Sequence, residues 1–336
     1  MEVDKTIETE HGTFHFRPYT DKDEEKVIEL WEVAFQSKMD RRIWKWKFHD
    51  NPFGKQIMLC FTDEGLPIAL FGGILFPANW NSKDIKITQL IDNMSHPNYR
   101  QVISGRKGLF AQNALHFWDV YLGPHASLLL YGFPGKKHFR LGNILLKYSK
   151  IGNEGVYLSV DIRKLKNSLI PALGQVDNPS AAAEDFDQLY EAAGPHYPFI
   201  ANRSKQFINW RFFRHPINKY KVFTYKSIKG KMLAYAVLTN KNNIATVVDV
   251  FGLPRKTAFR ALFQKIKKKL LSEGIPTMQI WLPKNHFITE YLIQFGFEEK
   301  EEPLGIIPTG RSFEEILDID YVNHNIYYTM GDGDLF

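Results

Sequence analysis

Apolar residues recur along this chain at two different periods, and the points where the period changes mark out its elements. Residues 21–36 place Val27, Leu30, Trp31 and Ala34 at helical spacing and crowd Asp and Glu into the first turn, which predicts an amphipathic helix. A strand is predicted over 12–18, and Asp63-Glu64-Gly65 lies between two apolar runs as a hairpin turn. A strand over 85–94 then leads through a loop to a helix over 108–120. A strand over 127–132, a short helix ending near Gly142 and a strand over 155–162 follow. The order returns farther on, with a hairpin around Gly230, a strand over 244–250, a helix over 255–271, a strand over 277–282 and a helix over 287–294. Strands and helices alternate after an early hairpin, so the predicted fold class is α/β with a mixed sheet, not a purely parallel one.

That return is a repeat. Trp46-Lys47-Phe48-His49-Asp50-Asn51-Pro52 matches Trp210-Arg211-Phe212-Phe213-Arg214-His215-Pro216 as W-[KR]-F-x-x-x-P at an offset of 164 residues. The match continues in order through Gly65 and Gly230, Asp92 and Asp249, Leu109-Phe110 and Leu262-Phe263, Pro134 and Pro283, and Gly142 and Gly296. Collinear matches of this kind imply two copies of one module. The expected division is a first module over 1–165, a linker over 166–183 containing Pro171, Gly174 and Pro179, and a second module over 184–336. The offset falls between Asp92 and Leu109, so the first copy has four extra residues in that interval.

A chain of 336 residues is long enough for two modules, each with its own core. Cys60 is the sole cysteine, which excludes a scaffold held by intramolecular disulfides, and its apolar surroundings predict a buried, inert thiol. The longest apolar stretch, 66–78, is too short to cross a membrane, so the expected location is the cytoplasm and no membrane partner is expected. A net charge of +6 suits an anionic ligand. The densest basic run, Lys265-Ile266-Lys267-Lys268-Lys269, falls on a helical stripe and reads as a solvated face, so nucleic acid is not the expected partner.

The loop after the 85–94 strand carries the candidate chemistry. His96-Pro97-Asn98-Tyr99-Arg100 runs through Gln101-Val102-Ile103-Ser104 into Gly105-Arg106-Lys107-Gly108-Leu109-Phe110, where a helix begins. Unpaired amides at a helix start attract anions, glycine lets the backbone approach a phosphate, and Arg106 and Lys107 add charge. With its place in the element order, this loop resembles the diphosphate-binding loop of the GNAT superfamily of N-acetyltransferases, whose pattern is R/Q-x-x-G-x-G/A. Gly105 stands at the R/Q position and Phe110 at the last glycine or alanine. The second copy has Ala258-Phe259-Arg260-Ala261 where the first has Gly105-Arg106-Lys107-Gly108, which predicts a cofactor site in the first module and a degenerate second one.

The resemblance implies two tandem GNAT-like acyl-CoA acyltransferase modules. It implies acetyl-CoA as co-substrate, held by Arg100, Gly105, Arg106, Lys107, Gly108, Leu109 and Phe110, with no metal. An amine of a small molecule would attack the thioester directly. Asp92, on the strand entering the loop, is the first candidate base. Aligning Gly142 on the family's final glycine puts His138 where a tyrosine protonates the leaving thiolate, and Tyr131 is a second hydroxyl donor nearby. The ending Met330-Gly331-Asp332-Gly333-Asp334-Leu335-Phe336 resembles the G-D-x-D tail of tandem GNAT proteins encoded near surface-polysaccharide enzymes, which implies an amino-sugar acceptor. Some tandem members use a terminal carboxylate as base, and an ordinary frayed tail is the competing expectation. Trp46 and Trp210 read as packing residues.

Zinc-protease, P-loop and serine-esterase motifs are absent from the sequence. Two rivals to the acetyl transfer stay open at this point. One is a transferase using aminoacyl-tRNA, and the other a non-catalytic, anion-binding sensor or scaffold.

Overall fold

A computed structural model describes residues 3–103, 105–152, 155–167 and 174–334 of the chain. β1 (Lys5–Thr9) and β2 (Gly12–Pro18) form a hairpin, followed by helices α1 (Glu24–Phe35) and α2 (Arg41–Phe48) and by the consecutive strands β3 (Lys55–Thr62), β4 (Pro67–Trp80) and β5 (Lys83–Ser95). Next come α3 (Leu109–Tyr121), β6 (Leu129–Gly132), α4 (Lys136–Leu146) and the two-residue β7 (Ser149–Lys150). The chain continues through β8 (Gly155–Asp161), β9 (Gln175–Asp177), α5 (Glu184–Ala193), β10 (Phe199–Ala201) and α6 (Lys205–Ile208), which a π turn over Asn209–Phe213 prolongs. Then β11 (Lys221–Lys226), β12 (Met232–Lys241), β13 (Ile244–Gly252), α7 (Lys256–Ser272), β14 (Thr277–Pro283) and α8 (Phe287–Phe295) follow. β15 (Glu298–Lys300), β16 (Thr309–Ser312), α9 (Ile319–Asn325) and β17 (Ile326–Tyr327) complete the order. The fold is mixed α/β with two mixed sheets.

Two compact units interleave along the sequence. One comprises Met1–Pro77, Ile85–Lys150 and Ile307–Ile319, and the other Ala78–Asp84, Ile151–Ile306 and Asp320–Phe336. The reason lies in two strands. The first sheet runs β1-β2-β3-β4-β5-β6-β16-β7, and the second β15-β8-β14-β13-β12-β11-β9. Each sheet therefore receives, next to its parallel pair, a strand from the far side of the other sheet's chain segment. The 155–162 strand expected to close the first module is β8, which pairs antiparallel with β14 over its whole length, from Thr277↔Asp161 to Pro283↔Gly155. Alternating burial makes β8 recognisable as a strand, with Val156, Leu158 and Val160 inside, but it does not say which sheet receives it. Part of the expected linker is also structured, since Gln175–Asp177 forms the edge strand β9 beside β11. Pro171 lies outside the described residues.

Within each unit the elements form for ordinary reasons. In α1, Val27, Ile28 and Leu30 are buried and the helix stops at Gln36, which adopts the left-handed conformation. Just before it, Asp23 takes two guanidinium bonds from Arg17 at 2.8 Å each and caps the turn by accepting from the Thr20 amide at 2.9 Å. Burial alone would raise the Asp23 carboxyl, but the bonds from Arg17 and Thr20 outweigh it and bring the group down to about 2. A depressed carboxylate stabilises the fold above its unfolded pKa and loses that contribution as pH falls through its folded value. Asp23→Asn is expected to cost about 1–3 kcal/mol at pH 7. In denaturant titrations the gap to wild type should narrow steadily from pH 5 to pH 3, and a pH-independent gap would contradict this assignment.

The lone thiol, Cys60, is fully buried in β3, and burial pushes it up, away from reactivity. The lysine run differs from its expected solvated face at one position. Lys265, Lys268 and Lys269 are exposed, but Lys267 turns inward and donates to Leu165 O at 2.7 Å and Asn167 Oδ1 at 3.0 Å. No helix among the described residues is long and apolar enough to cross a membrane.

Candidate functional site

In the first unit β5 and β6 pair in parallel only from Ile87↔Leu129 to Gln89↔Tyr131. β5 then runs on to Ser95 and enters the loop that precedes α3. The loop is anchored at both ends. Pro97 opens a short 3-10 turn capped by His96. Tyr99, Val102 and Ile103 pack against the core of Phe14, Phe16, Cys60, Ile68, Ala69 and Leu109, so three of the residues around the inferred insertion serve as apolar pegs. Arg100 braces the loop from outside, its guanidinium donating to Ser95 O at 3.1 Å and to Ala34 O at 3.2 Å.

Gly105 adopts a left-handed φ of 66° and starts the turn Gly105–Lys107. Gly108 occupies the N-cap of α3 and, as a glycine, supplies no side-chain cap. A Cβ on Gly108 would come within 2.8 Å of Ile103 O and 3.1 Å of Gly105 O, both main-chain atoms, so only glycine fits. The first amides of a thirteen-residue helix therefore start from a turn that carries the exposed Lys107. The side chain of Arg106 lies outside the described residues. Leu109 points into the core and Phe110 packs on Phe71 at 5.8 Å between centroids, so these two contribute main chain, not side chains, to the helix start. α4 packs against the 105–107 turn, and its first turn bears exposed Lys136, Lys137 and His138.

Asp92 sits on β5 with φ 51°, a conformation rare for a residue other than glycine. Lys47 of α2 donates to its Oδ2 at 3.0 Å, and the indole of Trp31 to its Oδ1 at 3.2 Å. Lys47 and Asp92 side chains are only 10% and 9% exposed, so the carboxylate is held in a fixed orientation. Lys47 is the variable residue of the W-[KR]-F repeat, which sequence reasoning passed over because the tryptophan beside it drew the packing interpretation. Tyr131 is buried in β6, edge-on to Phe133 at 6.0 Å. His138 is exposed on α4. α4 runs past Gly142 to Leu146, and a Cβ on Gly142 would strike the Tyr148 ring at 2.3 Å, which supplies a packing reason for that glycine.

The second unit differs at the matching places. Ala258 and Ala261 lie inside α7, which starts at Lys256 with Arg255 as its N-cap, so they do not occupy a turn before the helix as the aligned Gly105 and Gly108 do. What distinguishes this unit is a buried ionic cluster. Arg203, fully buried, pairs with Asp332 at 2.7 and 2.5 Å and with Asp249 at 3.3 Å. Asp249 also accepts from Tyr235 Oη at 2.7 Å and Thr329 Oγ1 at 2.8 Å. Burial pushes the Asp249 carboxyl up against the downward pull of Arg203, and the Asp332 charge adds to the rise. Residues Met330–Gly333, expected to fray or to supply a terminal base, are buried, and residues 335 and 336 lie outside the described residues.

No protein-family model matches the sequence, and no curated protein matches it either. Solved structures do. The chain is similar to a conserved protein of Enterococcus faecalis V583 described as "Probable N-Acyltransferase", with 14% identity and a TM-score of 0.68 over 90% of this chain and 73% of that one. It is similar to a GCN5-related N-acetyltransferase from Anabaena variabilis ATCC 29413 at 11% identity and a TM-score of 0.68, over 89% and 72% of the two chains. A GCN5-related N-acetyltransferase from Kribbella flavida gives 13% identity and a TM-score of 0.65 over 93% and 72%. These likenesses establish the GNAT fold.

Proposed function

We propose that this protein is an acyl-CoA-dependent N-acyltransferase that moves an acetyl group from acetyl-CoA to an amine of a small molecule, with an amino sugar as the first acceptor to test. We further take the two units as tandem GNAT-like modules, of which the first holds the acyl carrier. The observation that carries the proposal is the start of α3. There a helix N-terminus whose N-cap has no side chain opens at a glycine that tolerates none, beside Lys107, at the end of a strand that has parted from its parallel neighbour. Neighbours described as acetyltransferases on the same fold support the reaction class.

In this reading the α3 amides and Lys107 take the diphosphate, with Arg106 beside them, and Arg100 keeps the loop closed by bracing it to α1. The amine nitrogen attacks the thioester carbonyl carbon, the C–S bond breaks, the amine gives up a proton, and the departing thiolate accepts one. Asp92 is the candidate to orient or deprotonate the amine, and His138 and Tyr131 are the candidate proton donors to the thiolate. Metal plays no part in this scheme.

Thermal stabilisation tests it, because a ligand that binds the folded state raises the midpoint. Acetyl-CoA and CoA should raise it and tRNA should not. Lys107 is exposed, so Lys107→Glu leaves the fold intact while setting a negative charge against the diphosphate. It is expected to weaken CoA binding about tenfold or more, equivalent to about 1.4 kcal/mol or more. The matched change Arg260→Glu, in the second unit, should leave CoA affinity unchanged. Equal effects from the two substitutions would sink the assignment of the carrier to the first unit.

A further inference from the structure

In the second unit β13 and β14 pair in parallel only from Ile244↔Thr277 to Val247↔Ile280, after which β13 continues to Gly252 and β14 to Pro283. This is the same arrangement as β5 and β6, but here the groups beyond the parting are already engaged. Tyr327 Oη donates to Val250 O at 2.5 Å. Tyr197 Oη donates to Gly252 O at 2.7 Å and accepts from the Gly252 amide at 3.2 Å. Thr329 Oγ1 donates to Asp249. His286, at the N-cap of α8, stacks on Tyr197 and lies 4.3 Å from the Tyr327 ring between centroids. Burial pushes this imidazole down to about 3, so it is uncharged at neutral pH.

The segment that delivers Tyr327 and Thr329 is held as firmly as a ligand. Arg211 donates from Nε to Gly331 O at 3.1 Å and from Nη2 to Gly333 O at 2.7 Å, and Arg203 clamps Asp332. A Cβ on Gly331 would come within 3.2 Å of both Phe212 and the Cβ of Asp249, so the main chain lies directly on these side chains. Arg211 and Asp249 are the repeat counterparts of Lys47 and Asp92. The residues that line the reactive region proposed for the first unit thus bind chain in the second.

We propose that the parting between β13 and β14 is a binding site occupied by the protein's own 326–334 segment, so that the chain takes one acyl carrier and not two. The count of carriers rests on the acyl-CoA reading above, whereas the occupancy stands without it. The segment acts as a resident peptide ligand: it bonds the β13 main chain at Val250 O through Tyr327, brings its own carboxylate to Arg203 and sets the Tyr327 ring against Tyr197 and His286. α7, though also without a side-chain cap, then begins beside a filled site.

Hydrogen exchange on the full chain without ligand reads the occupancy directly. Amides of 329–333 should exchange about a hundredfold or more slowly than those of the exposed turn at Ile228–Gly230. Native mass spectrometry with CoA should give one equivalent bound, with the protection of 329–333 unchanged. Exchange of 329–333 at the rate of the exposed turn overturns the occupancy, and a second equivalent or deprotection on CoA addition overturns the single-site count. No bound CoA, with the segment still protected, defeats the acyl-CoA reading and the count together while leaving the occupancy supported.

Discussion

Arg203→Met is expected to lower the stability of the protein by about 3–5 kcal/mol, the range found when one partner of a buried ion pair is removed. For units of this size that corresponds to a fall in midpoint temperature on the order of 10 °C. The cause is specific. The guanidinium is the cation that pairs with both Asp249 and Asp332, which are 0% and 3% exposed. Methionine fills most of the volume but leaves two carboxylates facing each other in a site walled by Tyr235, Thr329, Tyr327 and Tyr197. The sign of the pH dependence follows. Asp249 is already raised by burial, and without Arg203 it rises further, so the folded variant holds a proton that the unfolded chain has released. Stability of that kind is present at low pH and is lost as pH rises through the folded value. The deficit of Arg203→Met should therefore be smaller at pH 5 than at pH 8, measured by chemical denaturation at both. A deficit under about 1 kcal/mol at pH 8 would show that the three charges are not coupled, since it falls below the cost of even one unsatisfied buried group.

Most of the elements were legible in the sequence because their periods are strong. The stripe of Val27, Leu30 and Trp31 and the helix from residue 256 lie where spacing put them; the second matches within a residue at each end, and the first begins three residues late, at Glu24, after a 3-10 turn over Asp21–Asp23. Those that were missed have weak local signals. α2 is eight residues with three tryptophan or phenylalanine side chains buried among four cations, a pattern that reads as packing around a motif before it reads as a helix. β16, with the sequence Thr309-Gly310-Arg311-Ser312, has no apolar residue at all, and it is a strand because β6 and β7 flank it. The candidate site divides the same way. Gly105, Lys107 and Gly108 announce themselves by type and place, and the geometry explains why glycine is needed at 108. The partners of Asp92 come from helices 45 and 61 residues away, and those of Arg203 from strands and turns up to 129 residues away. Such pairings are long-range facts that no single window of sequence encodes.

Cutting the chain at the segment that sequence marks as a linker should abolish folding of both halves, because each half keeps a strand that belongs in the other's sheet. A fragment of residues 1–165 lacks β16. β6 would lose its partner over Leu129↔Ser312 to Gly132↔Thr309, and the buried Leu129, Leu130 and Tyr131 would sit on an open edge. A fragment of residues 166–336 lacks β8, and with it the buried side chains of Val156, Leu158 and Val160. At about 1.5–3 kcal/mol for each, those three alone are worth about 5–9 kcal/mol. That is comparable to the whole stability of an ordinary domain, about 5–15 kcal/mol, before any loss of hydrogen bonds along seven paired residues of β14 is counted. Each fragment alone should show no cooperative unfolding transition. Mixed from denaturant, the two should co-purify at one to one and regain the transition of the intact chain. Residues 1–150 joined through a flexible linker to 305–320 should fold alone, since that chain restores β16 beside β6. A sharp, cooperative melt from 1–165 by itself would mean that β16 is an accessory to the first sheet, and that its place between β6 and β7 carries little of the energy that holds them.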